Sequence, residues 1–331
     1  MKFSIHLKPS LSLLRYGLIL CSFNIFVLSV QAQQAPAPAT TARQAQIDQN
    51  RQININQDVS PPPAQDNTAF DTEAVPSSGD ADLGQQLILK EKPKFRPFRV
   101  FGGFDSYYTT NVALAKTDQL DDAFFVGQVG ASYQPRITES LYGEVTVREQ
   151  FFRYDEFGVL DFDSFNAGGG LSYILRNFYD IALGGRFNFN RLTDEQQGQE
   201  FYKEYALTFT QQKAFVLSRA HYVYVGALQE VNMTDPVIPQ RNEYALFTGY
   251  QAKLTRNLEA GLYYRLSWFD YATQGRDDLN QNLSVSLSYK IMDWLSLDAS
   301  TSFGFNNSNQ PAFFNYDVIN TGGGLSLNYK F

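Results

Sequence analysis

The chain has 331 residues, with 34 acidic and 27 basic side chains and a formal net charge of −7 at neutral pH. This acidic balance leaves no basic footprint for nucleic acid, so nucleic acid is excluded as a partner. The single cysteine, Cys21, lies in an amino-terminal apolar run, and the rest of the chain therefore cannot form disulfides or cysteine metal sites.

The first 32 residues have the three parts of a secretory signal. Three basic residues and no acid precede residue 16, residues 16–30 are mostly apolar, and Ala32 ends a small-residue cleavage site. A retained membrane helix would need about 20 consecutive apolar residues, and Ser22 and Asn24 interrupt this run. We therefore predict a signal peptide over residues 1–32 that is removed on export.

The next segment, residues 33–94, is rich in Gln, Ala, Pro, Asn and Asp and has three consecutive prolines at 61–63. A segment of this composition buries too little apolar surface to offset the entropy that folding costs. The alternative is a short helix over 44–57 that pairs with a partner, but the isoleucines there fit no heptad. We predict a disordered arm that lies in the periplasm.

From Phe98 onward, strand-like segments are separated alternately by short turns and by longer polar loops. Five turns and six loops connect twelve strands, each of roughly the 9 to 11 residues that a tilted membrane strand requires. The low mean hydropathy of −0.30 is compatible with a membrane barrel, because the strands of such a barrel are only half apolar. The 28 Phe and 20 Tyr residues suit its aromatic girdles. The predicted turns lie at 137–141, 175–178, 212–213, 254–258 and 291–295.

Alternation of apolar and polar residues sorts the side chains of each strand onto two faces. In the clearest strand Leu283, Val285 and Leu287 would face lipid, while Ser284 and Ser286 would face the lumen. A soluble β-sandwich shows the same period, and only the two chain termini favour the membrane. The predicted fold class is all-β, a transmembrane antiparallel up-and-down barrel of about twelve strands over residues 95–331.

The chain ends on an alternating segment with an aromatic carboxyl terminus. Leu325, Leu327, Tyr329 and Phe331 stand at two-residue steps, and this ending resembles the C-terminal strand that outer-membrane barrels of Gram-negative bacteria present to their assembly machinery. Residues 108–114 are similar to the loop after the first strand in bacterial β-barrel porins. These resemblances imply a location in the outer membrane of a Gram-negative bacterium. They also imply outer-membrane lipid, lipopolysaccharide and the barrel assembly machinery as partners.

Charged side chains recur on the predicted lumen face. Arg148 and Arg265 each lie seven residues after a predicted turn and Arg186 lies eight, so we expect three guanidinium groups at nearly one height. A ring of arginines at a constriction favours anions or sugar hydroxyls over cations. In the alternative interpretation, the arginines pair with inward acids and hold a polar interior together. The lumen candidates are Arg148, Arg186, Arg219, Arg265, Glu144 and Glu204.

One histidine, His221, remains after the predicted signal peptide. A catalytic base must lie within hydrogen-bond reach of the group that it activates, and no serine shares the strand face of His221. A lone histidine also disfavours a metal site, so we predict no enzyme activity, no cofactor and no metal. The leading hypothesis is a porin-like barrel for passive diffusion of small hydrophilic solutes. The alternatives are a structural or surface-binding barrel with a closed lumen and an accessory barrel of an envelope export system.

Overall fold

The computed structural model describes residues 95–271 and 274–331, and the predicted signal peptide and arm lie outside this part of the chain. Within it, twelve antiparallel strands form one closed barrel in which the first strand pairs with the last. The predicted fold class is confirmed, including the number of strands. The strands span Phe98–Thr109 (β1), Asp122–Tyr133 (β2), Leu141–Tyr154 (β3), Phe162–Leu175 (β4), Ile181–Asp194 (β5), Glu200–Ser218 (β6), His221–Asp235 (β7), Asn242–Lys253 (β8), Leu258–Tyr271 (β9), Arg276–Met292 (β10), Leu295–Ser308 (β11) and Tyr316–Lys330 (β12).

Five connections lie at the end of the barrel where the chain enters and leaves it, and six lie at the opposite end. Outer-membrane barrels place their short turns in the periplasm and their longer loops outside, so we name these the periplasmic end and the outer end. Two outer loops carry short helical segments, a 3₁₀ turn at Gly158–Leu160 and the helix α1 at Pro311–Phe314. Among the residues that the structure describes, no helix has the length and apolar character needed to cross a membrane.

The structure differs from the predicted turn pattern between β6 and β7. The sequence predicts a turn at 212–213, whereas β6 continues to Ser218 and the chain reverses at 219–220. Gln212 and Lys213 remain paired with β7, because polar side chains near the end of a membrane strand cost little and do not break it. Arg219 therefore lies in an exposed turn and not on the lumen face where we predicted it.

Burial along the strands follows the predicted alternation. On β10, Ser284 and Ser286 are buried while Val285 and Leu287 between and beyond them are exposed on the outer surface. On β3 the exposed Val145 and Val147 alternate with half-buried polar residues in the same way. The apolar face therefore points to lipid and the polar face points into the barrel.

The barrel closes through the first and last residues of its strand region. The amide of Phe98 donates to the carbonyl of Phe331 at 3.2 Å, and the amide of Phe331 donates back at 2.9 Å. The two rings stack with their centroids 5.8 Å apart. In lipid each unpaired backbone group costs several kcal/mol, so this seam removes the edge that an open sheet would expose. The residues of the predicted assembly signal, Leu325, Leu327, Tyr329 and Phe331, are all exposed.

Candidate functional site in the barrel lumen

The lumen is the candidate functional site, and five of the six predicted lumen residues lie within strands. Their side chains point inward because their neighbours along each strand point outward. These residues are Glu144 and Arg148 on β3, Arg186 on β5, Glu204 on β6 and Arg265 on β9. Arg186 and Arg265 of the predicted ring each pair with a different acid. Whether the three arginines act together at one constriction stays a prediction.

Arg186 forms an ion pair with Glu144 across β4. Its Nη1 lies 2.8 Å from Oε2 of Glu144, and its Nε donates to Oδ1 of Asn188 at 2.6 Å. Gly168 of β4 leaves the space for this arrangement, because a Cβ there would stand 2.5 Å from Oδ1 of Asn188 and 3.2 Å from Nη2 of Arg186. At this position the arginine is paired with an acid, as the alternative interpretation of the lumen charges expects.

Arg265 belongs to a second set of charges in the outer half of the lumen, which we call the charged cluster. It forms a buried ion pair with Glu243, and the hydroxyl of Ser267 donates to the same carboxylate at 2.6 Å. The guanidinium carbon of Arg241, from the β7–β8 loop, lies 3.8 Å from the centre of the Phe269 ring. The charged cluster consists of Glu204, Glu230, Arg241, Glu243 and Arg265.

Buried charges are stable only where they are paired and hydrogen-bonded. Nδ2 of Asn232 donates to Glu204 at 2.6 Å, and Nη1 of Arg241 donates to the hydroxyl of Tyr271 at 3.1 Å. Burial opposes the charge of Arg241, but Tyr271 and the carboxylates of Glu243 and Glu204 outweigh it and raise the pKa of the guanidinium. Arg241 therefore stays charged and fixes its loop to the inside of the barrel.

A third ion pair, between Arg276 and Asp278, lies at the outer mouth. The guanidinium carbon of Arg276 lies 4.1 Å from the ring centre of Tyr271 and 3.5 Å from that of Phe314 in α1. Asn306 supports the same contact, because its Nδ2 donates to the Phe314 carbonyl at 2.8 Å. The β11–β12 loop is thus held against the mouth by one arginine.

This pair is absent from the predicted lumen residues because residues 272–278, with Gln, Gly and two Asp, are typical of a loop. β10 begins at Arg276, so Arg276 and Asp278 are inward positions of a strand. The alternation of polar Asp278 and apolar Leu279 continues the pattern of β10 without a break and could have revealed the longer strand.

The opposite wall of the outer lumen is apolar, and we call this set the apolar cluster. Phe152 and Phe162 stack with their ring centroids 4.3 Å apart, and Phe124 and Leu192 are 0% exposed, so no space for a water molecule remains beside them. The outer half of the lumen is therefore filled on this side. The apolar cluster consists of Tyr107, Val112, Phe124, Val126, Phe152, Tyr154, Phe162, Leu192 and Tyr202.

The apolar cluster differs from the prediction, in which polar residues line the lumen throughout. Its signal is a local loss of alternation: residues 124–126 are Phe, Phe and Val, and residues 151–152 are both Phe. In such runs one member must point inward whichever face the strand presents to lipid.

Three neighbouring strands, β10, β11 and β12, line the lumen with small polar side chains. Two buried polar atoms on this wall, Nδ2 of Asn282 and Oγ of Ser302, have no hydrogen-bond partner in the part of the chain that the structure describes, and neither does Oδ1 of Asp298. We call these residues the serine–asparagine wall: Asn280, Asn282, Ser284, Ser286, Ser288, Ser296, Ser300, Ser302, Asn306, Asn320, Ser326 and Asn328.

A cavity of about 490 Å³ opens at the periplasmic end of the same wall, and we call it the periplasmic cavity. Ser288, Ser296 and Ser326 of the serine–asparagine wall contribute to its lining. Nε of Arg99 donates to Oδ1 of Asn328 at 2.7 Å across the seam between β1 and β12. The lumen thus has an open cavity at the periplasmic end of this wall, and it is packed with side chains toward the outer end.

His221 lies on the outer face of β7, where a ring nitrogen is 2.7 Å from the hydroxyl of Tyr250 and the two rings stack. Its contact is therefore with a neighbouring strand on the lipid side and not with the lumen.

No protein-family model matches the sequence, and no curated protein matches it. Among solved structures, the chain is similar to an outer membrane channel from Pseudomonas putida F1, with a TM-score of 0.51, 11% identity and coverage of 72% of this chain and 97% of that chain. The KdgM porin aligns with a TM-score of 0.40, 8% identity and coverage of 69% and 99%. An anion-selective porin from Comamonas acidovorans aligns with a TM-score of 0.37, 7% identity and coverage of 70% and 98%.

The fold is therefore that of an outer-membrane β-barrel, the class to which porins and channels belong. At 11% identity the similarity to the Pseudomonas channel concerns the fold alone, so the chemistry of the lumen must be argued from the residues of this chain.

Proposed function

We propose that the protein is a porin-like barrel of the outer membrane through which small hydrophilic solutes diffuse passively. The path begins in the periplasmic cavity, follows the serine–asparagine wall, and passes an outer half that must rearrange to open. The observation that carries this proposal is the serine–asparagine wall, with its unpartnered buried polar atoms, inside a lumen that is otherwise packed.

An unsatisfied buried polar atom costs about 1–3 kcal/mol, and such atoms in native proteins usually have a water partner. Nδ2 of Asn282 and Oγ of Ser302 lie on neighbouring strands of the same wall. Water along this wall would satisfy both atoms. Hydroxyls and amides without net charge can donate to and accept from a solute that carries hydroxyl groups, which favours sugars and other neutral hydrophilic molecules.

The arginines of the lumen supply the second element of selectivity. Arg186 is paired with Glu144 and remains partly exposed to the lumen, whereas Arg265 is buried in the charged cluster. Opposed charges at a narrow point can select among ions. We therefore include small anions among the candidate solutes.

The passage is tested by cysteine modification during planar-bilayer recording. Ser284→Cys places the only thiol of the processed chain on the serine–asparagine wall, and the adjacent Val285→Cys places it on the lipid face as a matched control. We expect discrete conductance steps in both variants and a reduced step only in Ser284→Cys after a cationic methanethiosulfonate reagent is added. Equal responses of the two variants would contradict a path along this wall.

Selectivity is tested by the reversal potential in a salt gradient. Neutral substitutions at Arg148, Arg186 and Arg265 should shift the selectivity toward cations, because they remove positive charge from the lumen. Arg153→Gln serves as the control, since Arg153 points outward on β3 and pairs with Asp163 at 2.8 Å. An unchanged reversal potential in the triple variant would count against an arginine constriction.

A second candidate function is a structural or surface-binding barrel with a permanently closed lumen, and the packing of the apolar cluster favours it. It predicts no discrete steps in the wild type or in a variant with a smaller apolar cluster. For the accessory role in export, no contact of the described residues adds support beyond the sequence hypothesis.

The proposed setting is the outer membrane of a Gram-negative bacterium, with the arm in the periplasm. The exposed aromatic carboxyl terminus at the seam supports recognition by the barrel assembly machinery, and the apolar outer face supports contact with outer-membrane lipid and lipopolysaccharide. Fractionation of the full chain between inner and outer membranes tests this placement. Recovery of the barrel in the soluble periplasmic fraction would overturn it.

A further inference from the structure

The two ends of the barrel differ in charge. The five periplasmic turns carry four arginines and three acids, a net charge of 4 − 3 = +1, whereas the six outer loops carry two cations and six acids, a net charge of 2 − 6 = −4. The periplasmic turn charges are Arg136, Glu139, Arg176, Asp180, Arg219, Arg256 and Asp293. The periplasmic mouth is therefore the end that attracts an acidic partner.

The periplasmic cavity opens at this mouth. Its volume of about 490 Å³ lies within the range of roughly 300–1,000 Å³ that ligand pockets occupy. Four cations and three acids line it, so its own net charge is 4 − 3 = +1: Arg96, Arg99, Lys290 and Lys330 against Glu259, Asp293 and Asp298. One of the acids, Glu259, already has a cation of the same barrel nearby, because Nζ of Lys253 lies 3.7 Å from it.

The chain itself contains an acidic segment close to this cavity in sequence. Residues 57–82 have six carboxylates and no lysine or arginine, and we call them the acidic segment. The cluster nearest the barrel, Asp80 and Asp82, precedes Phe95 by only 15 and 13 residues. The first described cation, Arg96, both continues this chain and lines the cavity.

We propose that the acidic segment of the same chain docks in the periplasmic cavity. Residues 83–94, which connect the two, can span roughly 40 Å when extended. Twelve strands spaced about 4.8 Å apart and tilted by about 40° give a mouth roughly 24 Å across. The acidic segment therefore reaches every point of the cavity.

The tether favours this occupant over a free acidic partner. A segment joined to its site by a short connection has an effective concentration in the millimolar range, so weak charge pairs suffice to keep it bound. Lys290 stands at the cavity, and no carboxylate of the described residues forms a salt bridge with it. The docking does not require that the barrel conducts, so it can be tested separately from the proposed function.

Disulfide cross-linking of the full chain tests the proposal, because the processed protein has no other thiol. Ala81→Cys lies between the two nearest acids, and Ser296→Cys lies in the periplasmic cavity. Ser218→Cys, at the exposed β6–β7 turn on the opposite side of the mouth, is the matched control. Two double variants are compared: Ala81→Cys with Ser296→Cys, and Ala81→Cys with Ser218→Cys. Under mild oxidation we expect the disulfide within one chain to form severalfold faster in the first double variant than in the second.

Charge dependence separates docking from random encounter. Replacing the six acids of residues 57–82 by Asn and Gln should abolish the preference for Ser296→Cys, and 1 M salt, at which the Debye length is about 3 Å, should weaken it. Lys290→Glu should slow the cross-link, whereas Lys116→Glu, the same change at the outer end, should not.

Three outcomes would overturn the proposal. The first is an equal rate of cross-linking at the two barrel positions. The second is an undiminished cross-link in the neutral acidic segment. The third is a cross-link between two chains in place of one within a chain. A barrel that shows the expected cross-link but no conductance would refute the proposed function and leave this docking intact.

Discussion

Phe152 and Phe151 are adjacent on β3 and point to opposite faces, so replacing each by alanine measures what the lumen packing contributes. Phe152 is 0% exposed and stacks on Phe162 inside the apolar cluster, whereas Phe151 is 39% exposed on the outer surface. Both substitutions remove the same atoms from the same strand. Only the surroundings of the two rings differ.

We expect Phe152→Ala to lower the free energy of unfolding by about 3–5 kcal/mol, the range for a buried phenylalanine whose loss leaves a cavity. Phe151→Ala should cost only the transfer of the ring from water, about 1.5–3 kcal/mol, because lipid tails fill the space that the ring leaves. The difference between the two variants reports the cavity that the packed lumen cannot close.

The measurement is urea unfolding of the barrel refolded in phospholipid vesicles, followed by the fluorescence of its two tryptophans. Planar-bilayer recording of the same proteins gives a second readout, in which Phe152→Ala should raise the conductance and Phe151→Ala should not. Equal losses of stability together with equal conductance would refute the assignment of Phe152 to a packed lumen.

Three further substitutions test other parts of the structure. Glu243→Gln removes the carboxylate that two buried guanidinium groups of the charged cluster share, and it should destabilise the barrel by about 3–5 kcal/mol in the same unfolding assay. A loss of stability below about 1 kcal/mol would mean that the cluster is solvated. Gly249→Ala would overlap a buried tyrosine ring on the neighbouring strand and should cost about 1–3 kcal/mol, while Gly185→Ala, which meets only an ordinary contact at 3.8 Å, should be near neutral. Phe331→Ala should reduce the fraction of heat-modifiable folded barrel in outer-membrane preparations, and Phe313→Ala in the exposed helix α1 should not; similar yields would contradict an assembly signal at the carboxyl terminus.

The fold could be predicted because its signals are local. The two-residue period of β10, from Leu279 to Ile291, assigns each side chain to a face without knowledge of any other strand. The requirement that a sheet in lipid has no open edge then closes the barrel. The one misplaced turn, at 212–213, arose because polar residues in a membrane strand look like a turn when they fall near its end.

The contents of the lumen could not be predicted in the same way. Glu144 and Arg186 lie 42 residues apart in sequence and meet only because two strand registers and Gly168 place them together. The same holds for Arg265 and Glu243, whose pairing depends on the register between β8 and β9. Periodicity identifies an inward residue, but it does not identify the residue that it meets.

The sequence by itself determined the closed barrel and its lipid-facing side, since the predicted signal peptide and the aromatic carboxyl terminus favour the membrane, alternation sorts the two faces, and a bilayer tolerates no open sheet edge. Only the tertiary structure decided that the outer lumen is filled while a cavity opens at the periplasmic end. Filling depends on side chains that converge from many strands, and on Arg241 and Phe314, which their loops carry back into the mouth. No local pattern in a sequence encodes such convergence.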